Sequence, residues 1–223
     1  MRNIRAMSVF ALVGVAALAV TGCSSYQEGF SDSHTLSGQV SEVKLDSSSG
    51  NVTLEQGATE EIKIYREVRY VGPKPEGVKH SLNSGVLLLD GSCGMNCSIS
   101  YKVTLPGRPK LSGKITSGDI KVGQVAAVDV EVTSGSVRIG DANGSVNVRS
   151  TSGDIEAALT KPADVKLKLT SGTVKLAVPG GNLFHVTTKV TSGEVRNSIG
   201  DNPSAANRID VQSTSGDIEI GSN

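Results

Sequence analysis

Apolar and polar residues alternate along Val128-Asp129-Val130-Glu131-Val132, the period-two pattern of a strand with one buried face. The turn formers Thr133-Ser134-Gly135-Ser136 follow, and Val137-Arg138-Ile139 then alternates again. Gly140-Asp141-Ala142-Asn143-Gly144 reads as a second corner and Ser145-Val146-Asn147-Val148-Arg149 as a third strand. A strand and a corner, doubled, make a unit of about 18 residues. The unit recurs: Thr-Ser-Gly-x-(Ile or Val) stands at 116–120, 133–137, 151–155, 170–174, 191–195 and 214–218. The intervals between successive threonines are 17, 18, 19, 21 and 23 residues, too short for a helical repeat.

These units predict an all-β fold, a β-solenoid with coils of about 18–20 residues, each rising by one inter-strand spacing of about 4.8 Å. Gly accepts the positive φ of a sharp corner, and Ser, Thr, Asp and Asn bond local backbone groups there. Stacked coils would align Val137, Ile155, Val174, Val195 and Ile218 in one internal column. Val130, Val146, Val148, Leu167, Leu169, Leu176, Val186, Val190, Ile209 and Val211 would fill the neighbouring columns. Each buried aliphatic contributes roughly 1.5–3 kcal/mol, so many similar increments stabilise the stack. A β-sandwich of short strands is the alternative, because it too alternates and turns every 8–12 residues or so. The repeated pentapeptide favours the solenoid, since sandwich strands occupy unlike positions.

Residues 37–110 are less regular, and residues 111–223 carry the repeats of the same domain. Strands are expected at Ser49-Gly50-Asn51-Val52-Thr53-Leu54, Ile62-Lys63-Ile64-Tyr65, Val86-Leu87-Leu88-Leu89 and from Ser98 to Leu105. Solenoids need atypical terminal coils, so this part is expected to cap the stack. The other end, near Ile220, shows no evident cap and would be a weak point or a docking edge.

The first residues stand apart from this pattern. Arg2 and Arg5 precede an uncharged stretch from Val9 to Val20, the length of a signal-peptide core. It ends in Val20-Thr21-Gly22-Cys23, which resembles a bacterial lipobox. By that resemblance residues 1–22 are cleaved, and Cys23 carries the lipid that anchors the protein to the cell membrane from outside the cytoplasm. Two or more acyl chains make such an anchor stable. The polar residues up to 36 are expected to be a tether. Assigning Cys23 to lipid leaves Cys93 and Cys97, which should pair outside the cytoplasm. The alternative is a soft-metal site built from two thiolates and the Met95 thioether.

Trp is absent and aromatics make up 3% of the chain, so Val, Ile and Leu must form the core. Lys plus Arg and Asp plus Glu number 22 each and are interspersed, which argues against nucleic acid as a partner.

Gly50-Asn51-Val52-Thr53-Leu54, Val103-Thr104-Leu105-Pro106 and the Thr-Ser-Gly-Asp-Ile copies resemble the DUF4097 "putative adhesin" β-strand-repeat family, from about Gly38 to Ile220. The resemblance implies a repetitive β architecture at the cell envelope, with no catalytic residues to carry over. Some of the family's members sit beside envelope-stress regulators.

Little in the chain points to catalysis or to a cofactor. His34, His80 and His185 stand in unlike contexts with no metal-ligand spacing, and no Gly-x-Ser-x-Gly elbow is present. Asp119, Asp154, Asp217 and Glu194 share one motif position. A Ca²⁺ ladder is one reading, but Ser136 and Thr173 interrupt it, and turn stabilisation is the simpler one. Two residues later runs a charged column: Lys121, Arg138, Glu156, Lys175, Arg196 and Glu219. It reads as a solvated face with cross-strand pairs. Its four bases would alternatively hold an anionic envelope polymer or a lipid headgroup.

The expected function is a membrane-anchored, non-catalytic surface-binding or adhesin-like module contacting a cell-wall polymer or envelope protein. The alternatives are a regulatory or structural envelope protein with a membrane partner, and an enzyme acting on envelope polysaccharide.

Overall fold

The computed structural model describes residues 27–58 and 60–223. The proposed signal segment, residues 1–22, and Cys23 lie outside them. The first part contributes β1 (Glu28–Leu36), β2 (Glu42–Ser49), β3 (Val52–Gln56), β4 (Ile62–Tyr70), β5 (His80–Asn83), β6 (Val86–Asp90) and β7 (Cys97–Leu105). The regular part runs as strand pairs: β8 (Lys110–Ser117) with β9 (Ile120–Val125), β10 (Ala127–Ser134) with β11 (Val137–Ala142), β12 (Val146–Ser152) with β13 (Ile155–Leu159), and β14 (Val165–Ser171) with β15 (Val174–Val178). The last pairs are β16 (Phe184–Ser192) with β17 (Val195–Asn197), and β18 (Asn207–Ser215) with β19 (Ile218–Ser222).

Each pair is one coil, and the corner carrying Ser-Gly passes the chain from one sheet to the other. A nine-stranded sheet (B) has the order β16-β18-β14-β12-β10-β8-β2-β6-β5, and a ten-stranded sheet (A) the order β1-β4-β7-β3-β9-β11-β13-β15-β19-β17. Successive coils pair in parallel and in register, Val137 beside Ile120 and Ile155, and Ile155 beside Val174. The molecule is the solenoid that the repeat predicts, with inward aliphatics buried between two sheets.

The order of stacking differs from the order of the chain at both ends. β18 and β19, last in sequence, lie between β14–β15 and β16–β17. The first coil, β2–β3, lies between β6–β7 and β8–β9. The C-terminal coil is therefore internal: Ile218 is 0% exposed and Ile220 is buried. This corrects the expectation of an uncovered end at Ile220. The stack ends instead at β16–β17, where Val195 is 36% exposed and Ile199, in the following loop, packs against the core. Two inward positions there are polar, Thr188 beside Val211 and Asn197 beside Ile220, among the apolar Val186, Val190 and Val195.

The opposite end is closed by antiparallel strands, β5 on β6, β4 on β7 and β1 on β4. The expected tether therefore stops short of residue 36, because Glu28–Leu36 is an edge strand whose alternate residues Phe30, Asp32, His34 and Leu36 are turned inward. Polar groups meet under this cap. Arg66 is 4% exposed. Its Nε donates to Asp32 Oδ1 at 3.0 Å, its Nη2 pairs with Oδ2, and its Nη1 donates to the carbonyls of Gly77 and Val78, each at 2.7 Å. The Tyr101 hydroxyl lies 2.6 Å from the Lys79 carbonyl oxygen and 2.8 Å from that of Asp90. The His34 and His80 rings meet edge to face at 4.8 Å. Cys93 is joined by a disulfide to Cys97, the first residue of β7, so both thiols are consumed and the soft-metal alternative falls away.

Candidate binding faces

The motif corner is held by contacts between coils. The glycines stack in the order Gly50, Gly118, Gly135, Gly153, Gly172, Gly216, Gly193. From Gly118 onward, a Cβ on any of them would fall between 1.8 and 2.5 Å from the carbonyl oxygen of the glycine below. The residue after each glycine often adds a rung. Asn51 Oδ1 accepts from Asp119 N at 2.9 Å, and Asp119 Oδ1 from Ser136 N at 2.8 Å. Asp154 and Asp217 accept in the same way from Thr173 N and Glu194 N, each at 2.9 Å. These carboxylates bond the backbone of the next coil, and among the described residues no cluster of three or more His, Cys, Asp or Glu is placed to hold a metal ion.

The charged column predicted from sequence lies on the outer face of sheet A, but the inserted coil reorders it. In register it runs Lys121, Arg138, Glu156, Lys175, Glu219, Arg196. The bases are thus separated by acids from Arg138 onward. Arg138 Nε lies 3.7 Å from Glu156, and Arg196 donates twice to its neighbour Glu194, at 3.1 and 2.9 Å. Beside the column runs a floor of small residues, Gly123, Gly140, Ala158, Ala177 and Gly221, in a shallow groove of about 730 Å³.

A second charged row on the outer face of sheet B escaped the sequence reading. In register it runs Lys114, Glu131, Arg149, Lys168, Gln212, Lys189. Arg149, Lys168 and Lys189 succeed one another with only the neutral Gln212 intervening, and among the described residues none of the three is in an ion pair. The motif threonines Thr151, Thr170, Thr214 and Thr191 form an exposed hydroxyl ladder alongside, and together they line a depression of about 410 Å³. The signal was available: every member of this row stands two residues before a motif threonine.

His185, on the outward side of β16, has its Nδ1 3.0 Å from Asp201, which also accepts from Val186 N at 2.8 Å. His34 and His80 belong to the cap, on β1 and β5, and His34 Nε2 lies 3.4 Å from Asp32 Oδ1.

A two-sheeted solenoid with long charged faces and a disulfide-bearing cap defines the class. The Toastrack DUF4097 family matches residues 99–221, more than half of the chain, and the protein belongs to it. None of the curated proteins matches. Among solved structures, a "putative cell adhesion protein" from Clostridium sporogenes ATCC 15579 is similar in fold, with a TM-score of 0.50 at 16% identity, over 88% of this chain and 100% of that one. A "putative adhesin" from Bacteroides fragilis NCTC 9343 aligns over 86% of this chain and 97% of its own, with a TM-score of 0.40 and 14% identity.

Proposed function

We propose that this chain is a lipid-anchored, extracytoplasmic binding module of the adhesin type. It holds an anionic envelope polymer along the outer face of sheet B, without catalysis. The observation that carries the reading is the acid-free run Arg149–Lys168–Gln212–Lys189, three bases and one neutral residue, beside the threonine ladder. Bases fixed at strand spacing focus positive potential along a line, and adjacent hydroxyls donate to phosphate or carboxylate oxygens. A rigid solenoid keeps the spacing without an ordering cost at binding. The disulfide supports residence outside the reducing cytoplasm.

The test is co-sedimentation of the full chain in detergent with cell-wall material from its own source, at low and high salt, beside a neutral dextran. Retention at low salt, lost at high salt and reduced about tenfold by Arg149→Gln with Lys168→Gln and Lys189→Gln, is expected. Retention unchanged in that triple variant would sink the proposal.

A further inference from the structure

The groove on sheet A has a charge order that is its own complement. From β11 to β19 the outward residues read Arg138, Glu156, Lys175, Glu219, alternating base and acid. An alternating run with an even number of members faces opposite charges at every position when a second copy is laid on it upside down. We infer that the outer face of sheet A docks a second copy of this chain, about a two-fold axis that lies parallel to the strands and passes between β13 and β15.

In that arrangement Glu156 faces Lys175 of the second copy, and Arg138 faces its Glu219, each contact occurring twice by symmetry. The interface is isologous, as closed two-fold pairs require. A second copy laid on in the same direction would instead set each charge against itself, which disfavours that orientation. The small-residue floor fits the same scheme. Gly140 comes over Gly221 of the second copy and Ala158 over its Ala177, so no bulky side chain beside the column holds the faces apart. The flanking positions, Lys121 against Arg196 of the second copy, are both basic, but Arg196 is already neutralised by Glu194 in its own chain. Inserting β19 between β15 and β17 is what creates the alternation: stacked in chain order, Lys175 and Arg196 would be adjacent bases.

The test uses the full chain carrying two different tags, co-expressed, solubilised in detergent and captured through one tag. Wild-type copies are expected to be captured together at low salt and less so at high salt. Glu156→Lys alone sets Lys against Lys at the centre, and Lys175→Glu alone sets Glu against Glu. Each is expected to lower capture of its own kind about tenfold. A Glu156→Lys copy mixed with a Lys175→Glu copy is complementary at all four positions and is expected to recover capture, as is the double variant with itself. The mixture restores no contact within either chain, so recovery separates pairing between copies from damage to a single stack. Absence of wild-type co-capture, single variants that still pair, or a mixture that fails to recover would each overturn the inference.

Discussion

Gly216 sits on Gly172 so closely that a Cβ added to it would lie 1.8 Å from the Gly172 carbonyl oxygen. Gly216 also has φ +125°, a region that side-chain-bearing residues rarely adopt. Both demands fall on a residue in the middle of the stack. Gly216→Ala is expected to cost roughly 3 kcal/mol, from backbone strain together with overpacking against a neighbour that cannot yield. Gly200, with positive φ but open space around it, should cost only about 1 kcal/mol on the same change. Chemical denaturation of the two variants checks the difference.

Ile218 and Val195 occupy the same motif position, and only stacking order separates them. Ile218→Ala is expected to lose about 2–5 kcal/mol, because it opens a cavity in an interior column. Val195→Ala, at the partly exposed end, should lose less than about 1 kcal/mol. Comparable losses at the two sites would contradict the inserted position of β18–β19.

The aspartate rungs can be told apart from a calcium ladder by substitution. Asp154→Ala removes the acceptor for Thr173 N and is expected to destabilise by about 1 kcal/mol. Asp154→Asn keeps an Oδ1 acceptor, as Asn51 does naturally toward Asp119 N, and should stay close to wild type. Calcium added during thermal melts should leave the midpoint of the wild type unmoved.

The cap should loosen in acid. The hydrogen bond from Arg66, together with its charge, holds the Asp32 carboxyl below the usual carboxylate range. Burial, followed by the nearby His34 and Arg66, pushes the His80 imidazole below its ordinary value. For both groups the folded state binds the proton less readily than the unfolded chain, so both contributions are complete above the unfolded values and are lost as pH falls. His80 begins to act below about pH 6.5, and Asp32 below about pH 4. Protection factors of the amides in β1 and β5, normalised to intrinsic exchange at each pH, are expected to fall between pH 7.5 and 5 or so, while those of β10–β15 hold. Arg66→Ala should open the same strands at neutral pH, at a cost of roughly 3 kcal/mol, by leaving Asp32 and two carbonyls without their donor.

The motif corners, the two-strand coil and the buried aliphatic columns were legible because each follows from a local rule: alternation for strands, Gly for the corner, register for the columns. Stacking order was not. β17 and β19 both open with the motif's apolar residue, and nothing local says which coil lies outside. Thr188 and Asn197 did carry the information, since inward polar residues suit an uncovered end better than Val211 and Ile220 do. The extent of the tether is not legible, because Asp32 and His34 look solvent-facing until Arg66 and His80, more than thirty residues away, supply their partners. The sheet B row is as periodic as the sheet A column, but its members precede the motif where the others follow it.

Because each end of the rod is finished by a pair of crossed windings, the protein cannot be lengthened by copying its last segment. An added turn would have to be spliced into the middle, among the windings from β8 to β15, where neighbours in space are also neighbours along the chain. Variation in rod length among natural homologues should therefore concentrate there, with both termini kept at constant size.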